Sequence, residues 1–237
     1  ISPDLSPGQS TEPSMKRKLE LEAEALALEL ELGLTGPYYP GADSCRVLDT
    51  YVPDSMDYET HQAVARIKQA VGGSLENYVI EKCGFKNKAE LCASLSAEQV
   101  DATAMAIYNI EVRNQGMIIG DQTGIGKGRI AAAIIRYGCQ QGLKPIFLTE
   151  KPNLFSDIYR DLTAIGSSRL KPFIVNTKGE KTDIKDEEGE VVFEALAPAV
   201  HKKVLEQIAG GKDAYSALSA FDFIVATYSQ FASDKIK

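Results

Sequence analysis

From Arg113 onward the chain alternates short apolar runs with helix-forming stretches, and this switching of period limits the fold more than any other feature. "GMIIGD" reads as a strand, "GKGRIAAAIIRYGCQQG" as a helix, "KPIFLTE" as a strand, "NLFSDIYRDLTAIG" as a helix and "LKPFIVN" as a strand. Such alternation predicts an α/β fold, a parallel sheet with crossover helices on both faces. Farther on, "AVHKKVLEQIAGG" reads as a helix and "FDFIVATYSQF" as a strand running into a loop. Before that last helix lies "TKGEKTDIKDEEGEVVF", acidic and rich in turn residues, which predicts a solvated insertion, a protruding hairpin or flexible loop.

The part before this alternation is different. Residues 1–14 are dense in Ser, Pro and Gly and read as a disordered tail. "MKRKLELEAEALALELELGL" consists of strong helix formers, with Leu19, Ala23, Leu26 and Leu30 on one stripe, and predicts a helix docked on its own protein and ended by Gly33, Gly36 and Pro37. "TGPYYPGADSCRVLDTYVPDSMDY" is crowded with turn residues. Helical patterns follow in "YETHQAVARIKQAV", "SLENYVIEKCGF", "KAELCASL" and "SAEQVDATAMAIYNI", the last with Ser96 as N-cap. A mostly helical extension over 15–94 therefore precedes the α/β part at 95–237.

The strand "GMIIGD" and the helix after it are joined by a glycine-rich turn, within "MIIGDQTGIGKGR". A phosphate-binding loop needs a strand that ends abruptly, free backbone N–H groups, and a helix whose N-terminus faces the same anion. Gly124 and Gly126 permit the turn, and Lys127 opens the helix in position to neutralise the terminal phosphates. The general pattern G-x-x-x-x-G-K-[ST] is incompletely met, because Asp121 stands first and Gly128 takes the place of the hydroxyl that usually ligates Mg²⁺. Magnesium held weakly or indirectly is the expected consequence. A dinucleotide fingerprint fits worse, since its third glycine is replaced by Arg129 and Glu150 alone could serve as its acidic residue.

Taken together, "IIGDQTGIGKGR" resembles motif I of the strawberry notch-type superfamily-two helicases, where glycine and then arginine follow the lysine. "SLSAEQVDATAMAI" is similar to their adenine-reading Q motif, with Gln99 as the reader, an amide able to donate and accept along one base edge. "FLTEKPNLFSDIYRDL" resembles motif Ia, and "IVATYSQF" resembles motif Ib. The resemblance implies the first half of a RecA-like P-loop NTPase lobe over 95–237. It implies ATP and Mg²⁺ as cofactors, held by Gln99, Thr123, Gly124, Ile125, Gly126, Lys127, Gly128 and Arg129, with Lys127 catalytic. It further implies nucleic acid, specifically DNA, as partner, contacted by Thr149, Lys151, Asn153, Thr227, Tyr228 and Ser229 through backbone-directed polar groups. The wording is closest to versions on phages and bacterial mobile elements, which implies a very large host-cell cytoplasmic or phage-packaged protein, with the second helicase lobe and a methyltransferase on the same polypeptide and a link to restriction or anti-restriction.

Motif II, the D-E-x-x carboxylate pair, is not seen, and Asp222 precedes its apolar run instead of ending it. Hydrolysis needs metal clamp, oriented water and arginine together. The chain starts at Ile1 and stops shortly after a strand-like run, so it reads as a piece of something longer that is inactive alone. Two other readings stay open: a different P-loop enzyme such as a nucleotide kinase, and a non-enzymatic assembly module with a vestigial loop. Bulk properties add exclusions. A net charge of −7 disfavours a surface that binds nucleic acid all over while permitting a local basic groove. No apolar run is long enough to span a membrane. Cys45, Cys83, Cys92 and Cys139 lack metal-ligand spacing and have only His61 and His201 beside them, so free thiols are expected and no metal site.

Overall fold

The computed structural model describes residues 12–120, 124–176, 182–210 and 214–232. Two compact units are present, Ile1–Tyr39 with Asp49–Gln62, and Pro40–Leu48 with Ala63–Lys237. The smaller contains α1 (Glu12–Glu31), β1 (Thr35–Pro37) and β2 (Tyr51–Pro53). It also takes in the start of α2 (Asp54–Ala70). β1 and β2 pair antiparallel, Thr35 opposite Pro53, and the His61 ring stacks on Tyr38 with centroids 5.4 Å apart.

Two expectations about the N-terminal region need correcting. The helix begins at Glu12, inside the expected tail, because Glu12 and Pro13 are good first-turn residues. Nor is its leucine stripe docked: Ala23 and Leu30 are exposed, and of the stripe's described side chains only Leu26 is half-buried. With glutamate so frequent, the helix has too narrow an apolar face to bury.

In the larger unit, α3 (Leu75–Cys83), α4 (Lys88–Ser94) and α5 (Ala97–Tyr108) precede a π-helical turn at Asn109–Arg113. Then come α6 (Lys127–Gln140), β3 (Ile146–Thr149), α7 (Leu154–Ala164) and β4 (Pro172–Ile174). A small hairpin of β5 (Ile184–Lys185) and β6 (Val191–Phe193) follows. The chain continues through α8 (Pro198–Ala209), α9 (Ala214–Ala217), β7 (Phe223–Thr227) and α10 (Tyr228–Ala232). The sheet is parallel in the order β3-β7-β4, with Ile146 opposite Ile224 and Phe173 also opposite Ile224. This is the expected α/β architecture, a partial P-loop NTPase lobe with helices around a parallel sheet.

Alternation along β4 and β7 shows why both faces are covered. Ile174, Phe223 and Val225 face the main core with Phe155 and Leu162 of α7, while Phe173 and Ala226 face a second core with Leu205 and Ile208 of α8. Successive strand residues point to opposite faces, so a strand between two layers is apolar throughout.

The boundary expected near Leu95 does not separate compact bodies. Leu75, Val79 and Leu91 of α3 and α4 share one core with Val100 and Ile107 of α5 and Ala133 of α6. The expected strand "GMIIGD" is absent as well, since Met117–Gly120 pairs with no strand among the described residues and Ile118 is 93% exposed. Strand geometry depends on a hydrogen-bonded neighbour that an apolar run cannot itself provide. The acidic insertion is partly docked and not simply solvated: Ile184 is fully buried, and Phe193 sits edge-on to Tyr159 at 5.4 Å. Free thiols are found at Cys83 and Cys139, whereas Cys45 and Cys92 form a disulfide across 47 residues. Pairings between distant cysteines follow from the folded path and not from spacing. Burial pushes the Cys83 thiol up to about 12, with the Arg136 guanidinium pulling the other way, so it is inert at neutral pH.

Candidate functional site: the glycine loop and the carboxyl edge of the sheet

The loop before α6 is held by α5. Four polar residues of that helix, Glu98, Gln99, Asp101 and Thr103, are buried, an arrangement that is costly unless each finds a partner. The Ser96 hydroxyl accepts from the Gln99 backbone N–H at 3.3 Å while Gln99 Oε1 accepts from the Ser96 N–H at 3.0 Å, a reciprocal cap at the helix start. Gln99 Nε2 then donates to the Ile125 carbonyl at 2.6 Å and reaches the Gly126 carbonyl at 3.4 Å. One amide thus closes the helix cap and ties down the glycine loop.

Glu98 and Asp101 point the other way along the helix and hold the segment Pro40–Leu48. Asp101 accepts from the backbone N–H of Gly41 at 2.6 Å and of Ala42 at 2.8 Å; Glu98 accepts from Leu48 at 2.8 Å. Leu48 in turn packs with Ala102, Ile125 and Ile130. Glu76 of α3 completes the grip, accepting from Asp43 and Ser44 at 2.8 and 2.9 Å. Burial raises its pKa, but its own backbone hydrogen bond, those amides and the Ser74 hydroxyl outweigh that and hold the carboxyl below its ordinary value.

Gly124 and Gly126 have φ of 98° and 77°, which side-chain-bearing residues rarely adopt. At Gly126 a Cβ would also lie 2.6 Å from Gln99 Nε2, so this position needs glycine twice over. Gly126 is the N-cap of α6 and brings no side-chain cap to it; Lys127 is the first helical residue and exposed. The positive end of α6 and an ammonium group therefore share one place, the physical requirement for a phosphate site.

Gly128 has a different reason. It lies in α6, where glycine costs about 1 kcal/mol relative to alanine. A Cβ there would collide with the carboxylate of Asp161 on α7, its Cγ being 2.9 Å away. Burial raises the Asp161 pKa, against the pull of the Arg160 and Arg129 guanidinium groups. Arg129 itself reaches the Ser94 carbonyl at 3.4 Å. In a P-loop hydrolase a bound Mg²⁺ supplies charge neutralisation and Lewis acidity at the phosphates. The donor chemistry here fits it: where a hydroxyl would usually stand, a carboxylate oxygen, a harder ligand, is present.

At the carboxyl ends of the strands the structure brings together the residues expected to meet nucleic acid. Thr149 of β3 is directly opposite Thr227 of β7, so the loop carrying Lys151 and Asn153 and the first turn of α10, with Tyr228 and Ser229, leave neighbouring parallel strands at the same edge. Lys151, Asn153, Tyr228 and Ser229 are exposed, whereas Thr149 and Thr227 are buried. Thr227 Oγ1 lies 2.9 Å from Ser229 Oγ and accepts from Asn176 Nδ2 at 3.3 Å. Asn176, just past β4, escaped the sequence reading; its Oδ1 is buried without a partner among the described residues, and the sequence signal was a polar residue ending an apolar run. Thr123 lies outside the described residues, as does Asp121. Gln99 is 4% exposed, so its amide holds the loop and presents almost nothing to solvent.

A parallel sheet, a glycine turn at a helix N-terminus and a lysine opening that helix are parts of a P-loop, although the strand expected to deliver the loop is not formed among the described residues. Residues 73–207 match the family of P-loop containing NTP hydrolase pore-1 proteins, more than half of the chain, and the chain belongs to that family. No curated protein and no solved structure matches it. Nucleoside triphosphate hydrolysis is the chemistry of this family, with Mg²⁺ as its usual companion. The match begins before Leu95, in agreement with α3 and α4 sharing the core of α5 and α6. Among the described residues no helix is long and apolar enough to cross a membrane, and no cluster of three or more His, Cys, Asp or Glu side chains could hold a metal.

Proposed function

We propose that the chain is the ATP-binding part of a nucleic-acid-dependent ATPase, a DNA helicase or translocase of the strawberry notch type, carried by a larger phage or mobile-element protein of the host cytoplasm. In this reading Lys127 and the amides of Gly124 to Gly128 take the triphosphate, and Lys151, Asn153, Tyr228 and Ser229 take one strand of DNA. The observation that carries the reading is the register of Thr149 opposite Thr227, which supports a polar loop and the polar start of α10 acting side by side at one sheet edge. In open α/β sheets ligands bind outside the carboxyl ends of the strands, so this edge is the expected working face. The exposed apolar side chains Ile118, Ile146 and Leu148 support the packing of a further part of the larger protein against this surface; the second lobe and the methyltransferase rest on the family resemblance alone.

Single-stranded DNA should raise ATP turnover by the intact protein about tenfold or more. Combined Lys151→Ala and Asn153→Ala replacement should raise the DNA concentration needed for half-stimulation about tenfold, the loss expected for one phosphate ion pair and one hydrogen bond. Both are measured by steady-state phosphate release against DNA concentration. ATP turnover indifferent to DNA and RNA would overturn the proposal and favour a soluble phosphoryl acceptor.

A further inference from the structure

The general phosphate loop places a hydroxyl directly after its lysine, and here glycine stands there. Mere loss of the hydroxyl would leave empty space beside Gly128. The space is filled instead by a side chain from another helix: the Asp161 carboxylate comes so close that a Cβ would require it to move aside, with Cγ at 2.9 Å and Oδ1 at 3.6 Å from where one would be. We infer that Gly128 and Asp161 together replace the loop hydroxyl, and that Asp161 is a ligand of the magnesium ion that accompanies the nucleotide. The inference rests on the loop being the nucleotide site.

Three features of the structure carry it. First, Gly128 has no positive φ, so backbone conformation does not demand glycine there, and the atoms a Cβ would meet are those of the Asp161 carboxylate. Second, α7 is fixed against α6 by Phe155, Ile158 and Leu162, all buried, so Asp161 is presented from a rigid element and not from a loop. Third, its side chain is 17% exposed, and among the described residues its ion-pair partner is Arg160 at 4.0 Å, the outer limit of an ion pair. A carboxylate held at that range keeps oxygen lone pairs for a further cation.

The electrostatic consequence is specific. A carboxylate beside the first turn of α6 repels a triphosphate seated on Lys127, and a divalent cation between them turns that repulsion into attraction. Asp161 therefore makes nucleotide affinity depend on metal more steeply than a neutral hydroxyl would. It disfavours metal-free ATP and favours the magnesium complex at one and the same site.

The test is titration of the intact protein with ATP in a calorimeter, with Mg²⁺ or with EDTA. For the natural sequence Mg²⁺ should tighten ATP binding at least tenfold. Asp161→Asn should bind ATP more tightly than the natural protein in EDTA and gain less than threefold from Mg²⁺. The double variant Gly128→Ser with Asp161→Ala, which restores the hydroxyl and removes the obstruction, should recover most of the metal dependence. An Asp161→Asn protein with the natural magnesium enhancement would overturn the inference, and if it also unfolds at lower urea, Asp161 is only a partner for the α6 N-terminus. Absence of ATP binding by the natural sequence in either buffer would overturn the nucleotide reading itself, and this inference with it.

Discussion

Replacing Lys127 with alanine should lower nucleoside triphosphate turnover by the intact protein about 100- to 1000-fold, the loss usual when one preorganised donor to developing charge is removed. Lys127 is exposed at the first position of α6, so its aliphatic stem contributes little to the core. The fold should survive, with the urea midpoint nearly unchanged, and the effect should appear in turnover and nucleotide affinity alone. Charge-assisted contacts to phosphate are the strong ones, and nothing else described in the loop supplies a second ammonium group. Turnover that is unaltered in the variant would remove the loop from the chemistry.

The largest effect on stability is expected at Asp101. Asp101→Ala strands the buried N–H groups of Gly41 and Ala42, which a charged acceptor now satisfies at 2.6 and 2.8 Å. Hydrogen bonds to charged groups contribute about 1.5–3 kcal/mol each, so a loss of roughly 3–5 kcal/mol is expected, a large share of the stability of an ordinary domain. Urea unfolding should show the midpoint falling with the slope unchanged. Affinity for nucleotide should fall as well, because Leu48 in the same segment packs on Ile125 and Ile130 at the loop. A loss under about 1 kcal/mol would mean that the segment Pro40–Leu48 is held by other bonds, such as the Cys45–Cys92 disulfide and the Ala97 N–H to Arg46 carbonyl contact at 2.9 Å.

These two residues mark the limits of what the sequence discloses. Lys127 was legible because its significance is local: two glycines, a lysine and the helix behind it lie within a few positions, and their geometry follows from backbone rules. The same holds for α6, α7, β3 and β7, whose apolar periods of 3.6 or 2 residues are written along single segments. Asp101, Glu98 and Glu76 look from the sequence like the solvated face of helices; only the fold shows that each carboxylate accepts from the backbone of the segment Pro40–Leu48. Gly128 departs from the general loop and agrees with the resembling family's motif, but only the fold shows that the Asp161 carboxylate of the next helix lies against it. Gln99 is legible as a residue of a helix start, yet what its amide touches, Ile125 and Ser96, depends on how α5 meets the loop. Met117–Gly120 failed for the complementary reason, because an apolar run becomes a strand only when another strand lies alongside.

The central claim is that the main-chain amides of this loop, with Lys127, are where a triphosphate sits. Amide hydrogen exchange of the intact protein, measured with and without ATP and Mg²⁺, tests it most directly. Slower exchange confined mainly to residues 124–130 and the first turn of α6, and abolished by Lys127→Ala, is the predicted result; ATP that slows exchange elsewhere while leaving these amides unchanged would contradict the account.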